Sequence, residues 1–418
     1  DLNSDASFVN LTLADGTVAT MNATQYALFD SATTGTGTNT IVLSNTATIG
    51  AIATVENYTL ANAANQLTMG TVNATTVTGN ADVDTIVFDG ATSYTGTYNL
   101  LAGNNVINLV DGSNIGGATV DAAGGAINFT IANAADVTVN AATHALMVAG
   151  TLTADGDNTV TLSDVGTITT DTLIESYSVT EGANVTLGTA AGQLAQVITE
   201  TGAVGTASTF TLGNGTYTGN WVGIDATDIV KINGLGSDIS GNTGLNAGVK
   251  VDFQSDTANT TLNATQNGVV TFINAGAGTQ TVNISAVDSF TTTNTIEAYS
   301  GVGGGTVTLG ATHAAANIAM TTAGATTVNI GAQTVTGTFA LADEADVLKL
   351  TATADISGLN TGGATTAENL DLETVDTINA TMTEAQYDGF TGITANNDDD
   401  TITIKTGAIT SIVADANI

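Results

Sequence analysis

Carboxylates dominate the chemistry open to this chain: 39 Asp and Glu stand against four Lys, with no Arg. Two acidic knots hold matching places. Asp225-Ala-Thr-Asp228 and Asp343-Glu-Ala-Asp346 lie 343 − 225 = 118 residues apart, and Asp398, Asp399 and Asp400 make a third run. Hard oxygen donors on turns suit Ca2+, which takes about six to eight oxygens. These aspartates are therefore the candidate metal ligands, and Ca2+ the candidate ion. Looser groups are Asp82, Asp84 and Asp89, then Asp155, Asp157 and Asp164. The plainer reading is that all are solvated turn residues capping strands. The Gly-Gly-x-Gly-x-Asp-x-U-x nonapeptide of Ca2+-binding arrays is not sustained here.

Other chemistry is harder to assemble. With no Cys, thiol catalysis, disulfides and zinc–cysteine sites drop out together. The two histidines, His144 and His313, form no zinc pair and no Ser–His–Asp arrangement. Glu56, Glu175 and Glu297 recur, each two residues before Tyr58, Tyr177 and Tyr299. A catalyst needs one asymmetric constellation rather than one copy per repeat, so these read as structural. Lys231 and Lys349 follow Asp228 and Asp346 by three residues, with Lys405 in a similar strand, and balance local charge. Tyr98, Trp221 and Phe339 interchange at one place and read as buried plugs. A glycosidase-like carboxylate pair remains formally available, while the Arg usual in polysaccharide lyases on β-helices is missing. The expectation is that the chain is not an enzyme.

The elements that carry these residues are repeated. Asn22-Ala-Thr-Gln-Tyr returns as Ala141-Ala-Thr-His, Asn263-Ala-Thr-Gln and Thr383-Glu-Ala-Gln-Tyr. Val55-Glu-Asn-Tyr returns as Ile174-Glu-Ser-Tyr and Ile296-Glu-Ala-Tyr; Tyr94-Thr-Gly-Thr-Tyr98 as Tyr217-Thr-Gly-Asn-Trp221 and Val335-Thr-Gly-Thr-Phe339. Asn114-Ile-Gly-Gly returns as Asp238-Ile-Ser-Gly and Asp355-Ile-Ser-Gly. Four markers in constant order predict tandem modules of roughly 120 residues. The divisions are the end of a preceding module at 1–21, modules at 22–140, 141–262 and 263–382, and the start of a fourth at 383–418. The chain begins with Asp and inside a module, so it reads as a processed protein or part of a longer array.

Within a module, bursts such as Thr85-Ile-Val-Phe, Ile127-Asn-Phe-Thr-Ile and Thr159-Val-Thr-Leu alternate apolar and small polar residues, the mark of strands. They recur about every 8–12 residues, punctuated by Gly, Asn and Asp. Aromatics are 5%, Pro is absent and Gly numbers 48. That composition favours an all-β parallel β-helix, a β-solenoid with roughly 20–30 residues per coil. Tandem Ig-like β-sandwiches, which rely on aromatic anchors and Pro-containing connections, are the alternative. Asn22 with Gln25 and Asn263 with Gln266 have capping-box spacing and predict short helices, with His144 at the place of Gln25 and Gln266. Segments 190–197 and 312–320 are further helix candidates.

The net charge of −35 excludes nucleic acid as a partner, because phosphate neutralisation requires Lys and Arg. No apolar run is long enough for a transmembrane helix.

The Asp-Ile-Ser-Gly element at 228–241 and 346–358, the Asn-Ala-Thr-Gln and Thr-Glu-Ala-Gln-Tyr-Asp-Gly-Phe segments, and Asp399-Asp-Thr-Ile-Thr-Ile404 together resemble the repeats of bacterial S-layer proteins and RTX-type secreted surface proteins. The resemblance covers nearly the whole chain as a style of repeat. It implies an extracellular β-solenoid on the bacterial cell surface, commonly Ca2+-dependent. The expected function is structural: self-assembly into a surface layer or filament, with the chain itself as partner, head-to-tail or in a lattice, and cell-surface glycan as a second. The repetitive stalk of a giant adhesin is the alternative, and a polysaccharide-degrading β-helix enzyme the third reading.

Overall fold

The computed structural model describes residues 9–405 apart from 74–75, 91, 123, 203–204, 256, 275–277, 321–323, 342–344, 361–368, 374–376 and 396–398. The chain is 43% strand and 7% helix, and its parallel sheets stack as a β-solenoid of about 17 turns. Every strand pairing among the described residues is parallel. Antiparallel sandwiches would require hairpins, so the Ig-like alternative falls away.

Two compact units divide the chain: residues 1–209 with 219–223, and residues 210–218 with 224–418. The first unit contains two six-stranded ladders. One runs through Val18–Met21, Thr40–Leu43, Asn57–Thr59, Thr76–Thr78, Thr97–Asn99 and Thr119–Asp121. The other runs through Thr48–Gly50, Asn65–Thr68, Asp84–Phe88, Asn105–Leu109, Ile127–Ile131 and Leu152–Thr153. A five-stranded ladder starts at Asp136–Val139 and ends at Trp221–Val222. The second unit contains a seven-stranded ladder from Gly215–Thr216 to Phe339–Ala340 and a six-stranded one from Phe290–Thr291 to Gly392–Ala395.

The core follows from the two-residue period of the bursts. In the first ladder Ile41, Tyr58, Val77 and Tyr98 stand in register and fully buried. Leu67, Ile86, Ile107 and Phe129 do the same in the second. In the second unit Val282, Tyr299, Ile318 and Phe339 form an equivalent column. The Thr and Asn between them point outward. Stacking like on like buries each apolar side chain against the coils above and below, which stabilises by roughly 1.5–3 kcal/mol per large residue.

Short helices interrupt the coils once per module: α1 (Ala23–Tyr26), α2 (Ala141–Ala149), α4 (Ala264–Val269) and α5 (Glu384–Gly389), with a further turn, α3 (Ala191–Leu194). The expected helix at 190–197 is this single turn, while 312–320 is a turn followed by the strand Asn317–Met320. Capping boxes form at Asn22–Gln25, Asn263–Gln266 and Thr383–Gln386. At α2 the cap is Asn140, bonded to the N–H of Thr143. His144 therefore takes the place of Tyr26, one position beyond Gln25, which corrects the alignment expected from sequence. Three of the helices lie where a ladder begins. α1 packs on Thr48–Gly50, α2 on Thr167–Thr169 and α4 on Phe290–Thr291, and each of these strands is the edge of its sheet. An uncovered edge offers unpaired N–H and C=O groups to other chains, and the helices cover it.

Candidate functional site

The repeated polar residues converge on the corners of the coils. The Glu56 carboxylate accepts the N–H of Asn39 at 2.9 Å, Glu175 that of Asn158 at 2.9 Å, and Glu297 that of Gln280 at 3.1 Å, each across 17 residues. Two residues on, the Tyr58, Tyr177 and Tyr299 hydroxyls accept the N–H of Ile52, Asp171 and Thr293 at 2.7, 2.8 and 3.0 Å. The marker is thus a clamp on the shortest coil, where a tight corner leaves backbone donors without a strand to bond. Burial pushes the pKa of all three phenols upward, which keeps them protonated.

Corners are also satisfied by the residue that opens a strand or directly precedes one. The amide oxygens of Asn39, Asn65, Asn105 and Asn158 accept the N–H of Thr17, Ala47, Asp84 and Ala135, across 18 to 23 residues. Asp346 and Asp400 occupy this position too, accepting the N–H of Thr326 at 2.6 Å and of Ile378 at 2.8 Å. Of the candidate Ca2+ ligands, Asp228 is fully buried and accepts the Asp225 N–H at 2.7 Å. Asp225 turns one carboxylate oxygen to the Thr227 N–H and hydroxyl, and these bonds hold its pKa below the usual carboxylate range. Asp399 is exposed, and Asp343 and Asp398 lie outside the described residues. Among the described residues no group of three or more His, Asp or Glu is placed to hold a metal. Asp84 is buried among donors from Asn65 and Asn80, and desolvation raises its pKa. Asp82, Asp89, Asp155, Asp157 and Asp164 are exposed turn residues.

The asparagine ladder is not among the sites expected from sequence. Its signal is present all the same: a polar residue directly ahead of an alternating burst, as in Asn39-Thr-Ile-Val-Leu and Asn158-Thr-Val-Thr-Leu.

The remaining markers also build the coil. The Asp238 and Asp355 carboxylates close turns on the N–H groups of Ser240 and Ser357. Carbonyls of those turns are then held by the helix glutamines: Gln266 donates to Ile239 and Asn242, and Gln386 to Ile356 and Leu359, at 2.7–2.8 Å. Tyr98, Trp221 and Phe339 are buried plugs. The glycines two residues before the latter two permit backbone contact: a Cβ on Gly219 or Gly337 would lie 1.8 Å from the carbonyl oxygen of Gln196 or Ala316. Lys349 bridges Asp371 and Glu373 at 3.9 and 3.0 Å, and Lys405 meets Asp355 at 3.1 Å. Lys231 stands opposite Asp252 in register.

Of the two histidines, His144 bonds Tyr177 and His313 bonds Thr292, and they lie in different units. An open groove of about 330 Å3 runs over the outer face of one ladder, between Thr281, Ala298, Asn317, Ala319 and Thr338. Its walls are mostly short neutral side chains. No helix among the described residues is long and apolar enough to cross a membrane. No protein-family model, curated protein or solved structure matches the chain.

Proposed function

We propose that the chain is an extracellular structural protein of a bacterial cell surface, whose copies associate into a layer or filament. The observation that carries this reading is how the recurring residues are used. In each of three modules the same Glu and the same Tyr accept N–H groups of the protein's own backbone, at the same corner. Residues repeated to hold coils in register serve a repeating scaffold rather than a single catalytic cleft. Weathering outside a cell suits a chain without Cys to oxidise into mispaired disulfides.

Charge sets the condition for assembly. Copies carrying −35 each repel one another, and an ion atmosphere or bridging divalent cations must offset that repulsion before surfaces meet. Ca2+ held between exposed carboxylates of neighbouring copies, Asp399 among them, is the proposed counter-ion.

Sedimentation and negative-stain electron microscopy test this on the native material, in chelator, in millimolar CaCl2 and in NaCl of matched ionic strength. Ordered sheets or fibres in Ca2+ support the reading. A chain that stays monomeric at high concentration in all three overturns it, and retention on bacterial glycans under those conditions would favour the adhesin stalk instead.

A further inference from the structure

The residue that follows the capping glutamine has a specific task at the covered strand edges. Tyr26 on α1 donates its hydroxyl proton to the carbonyl of Gly50 at 2.6 Å, and Asn267 on α4 donates to that of Thr291 at 3.0 Å. Gly50 and Thr291 each lie six residues before the marker glutamate, and each belongs to an edge strand. In the second module the same place is held by His144, and the matching carbonyl belongs to Thr169 on the edge strand Thr167–Thr169.

His144 is 1% exposed, and its Nδ1 has no hydrogen-bond partner. Its Nε2 lies 3.2 Å from the Tyr177 hydroxyl, with the two rings edge to face at 5.5 Å. That hydroxyl oxygen receives the Asp171 N–H; burial favours the neutral imidazole, whose Nε2 can then accept the phenol proton. We propose that His144 makes α2 a proton-sensitive guard: neutral, it keeps the helix seated on Thr167–Thr169; protonated, it releases the helix and uncovers the strand edge.

The surroundings support this. Protonation puts an N–H on both ring nitrogens: Nε2 can then no longer accept the phenol proton, and Nδ1 has no protein partner for its own. α2, Thr167–Thr169 and Ile127–Ile131, which pack together, carry no charged residue. Charged groups nearby are few. Asp171 favours the cation, but burial outweighs it and pushes the imidazole down to about 4. The Glu175 carboxylate is turned to the Asn158 N–H, and that of Asp164 to the Ala141 N–H at the start of α2. A crevice of about 230 Å3 between His144, Val148, Ala149 and Thr167–Thr169 lies along the seam where the helix would part from the strand. The sign is that of a buried neutral base: the seated state is favoured above pH 6.5 and loses that advantage as pH falls from 6.5 towards 4. This inference stands apart from the proposed assembly, since it concerns a local opening within one chain.

Hydrogen exchange on the full chain, corrected for intrinsic rates, tests it between pH 7 and 4. The variants are H144N and H144Y, which install the residues that modules three and one use at this place. In the wild type the opening of amides in α2 and Thr167–Thr169 should rise ~100-fold over that range, each pKa unit contributing a factor of ten. Both variants should change by less than about threefold. Variants that track the wild type, or a wild type that stays equally protected at pH 4, overturn the proposal. An NMR titration of the wild-type imidazole needs no variant: a midpoint below about 5 supports it, and one near 6.5 with α2 still protected overturns it.

Discussion

At the scale of single residues, this chain is held by side chains that substitute for missing strands. Glu297 illustrates the point, because its carboxylate receives the N–H of Gln280 at a coil corner, 17 residues earlier in the chain. Glu297→Ala should cost about 1–3 kcal/mol, the penalty of an unsatisfied backbone donor, while Glu297→Gln keeps an acceptor and should cost well under half of that. Denaturant midpoints of the two variants separate them. Tyr299→Phe keeps the ring in its column but removes the acceptor for Thr293, and about 1–2 kcal/mol should be lost. His313 offers a pH-dependent counterpart. The Thr292 hydroxyl receives the Gly310 N–H and bonds the His313 Nδ1 at 2.9 Å, and burial holds the imidazole below its usual pKa. Its folded pKa is depressed, so its share of stability is present above about 6.5 and lost as pH falls below that. H313N should flatten the acid limb of the stability–pH curve, as read by thermal midpoints at fixed ionic strength.

At the scale of elements, two glycine classes make opposite predictions. Gly219 and Gly337 sit where one coil's backbone crosses the carbonyl of the coil before it, with no room for a methyl group. Gly219→Ala or Gly337→Ala must push adjacent coils apart, and either should cost more than about 2 kcal/mol. Gly268 lies inside α4, and a methyl group there would meet nothing within 4 Å. Gly268→Ala should stabilise by about 0.5–1 kcal/mol through helix propensity. Capping matters at the same helix: Asn263 bonds the Gln266 N–H at 2.8 Å, and Asn263→Ala should cost about 1 kcal/mol. If the helices guard ladder edges, Asn263→Ala should also raise hydrogen exchange at Phe290–Thr291, the strand α4 covers.

At the scale of the whole molecule, charge and repetition act together. Only four cations face 39 carboxylates, so neighbouring copies meet across a repulsive field that falls off within about 10 Å at 0.1 M salt. Assembly should therefore strengthen with ionic strength even without Ca2+, and light scattering across an NaCl series measures it. A bridging role for Ca2+ predicts a step at millimolar concentration that matched NaCl does not reproduce.

The parallel solenoid is legible from sequence because its causes are local and repeated. Alternating bursts such as Thr159-Val-Thr-Leu must turn one face inward, and Gly-, Asn- and Asp-rich corners without Pro leave backbone donors free for ladders. The same holds for the capping boxes, whose partners are three residues apart. What only the tertiary structure decided is where each polar side chain finds its partner, since those bonds join residues 17 to 23 apart that become neighbours only when a coil closes. Asp346 and Asp400 stand out along the linear chain only as carboxylates on turns; it takes the closed coil to show that each accepts a backbone N–H from the coil before it. His144 likewise aligns with the glutamines until the cap at Asn140 places it against Tyr177, because a one-residue shift in a short helix is invisible until the strand beneath it is present.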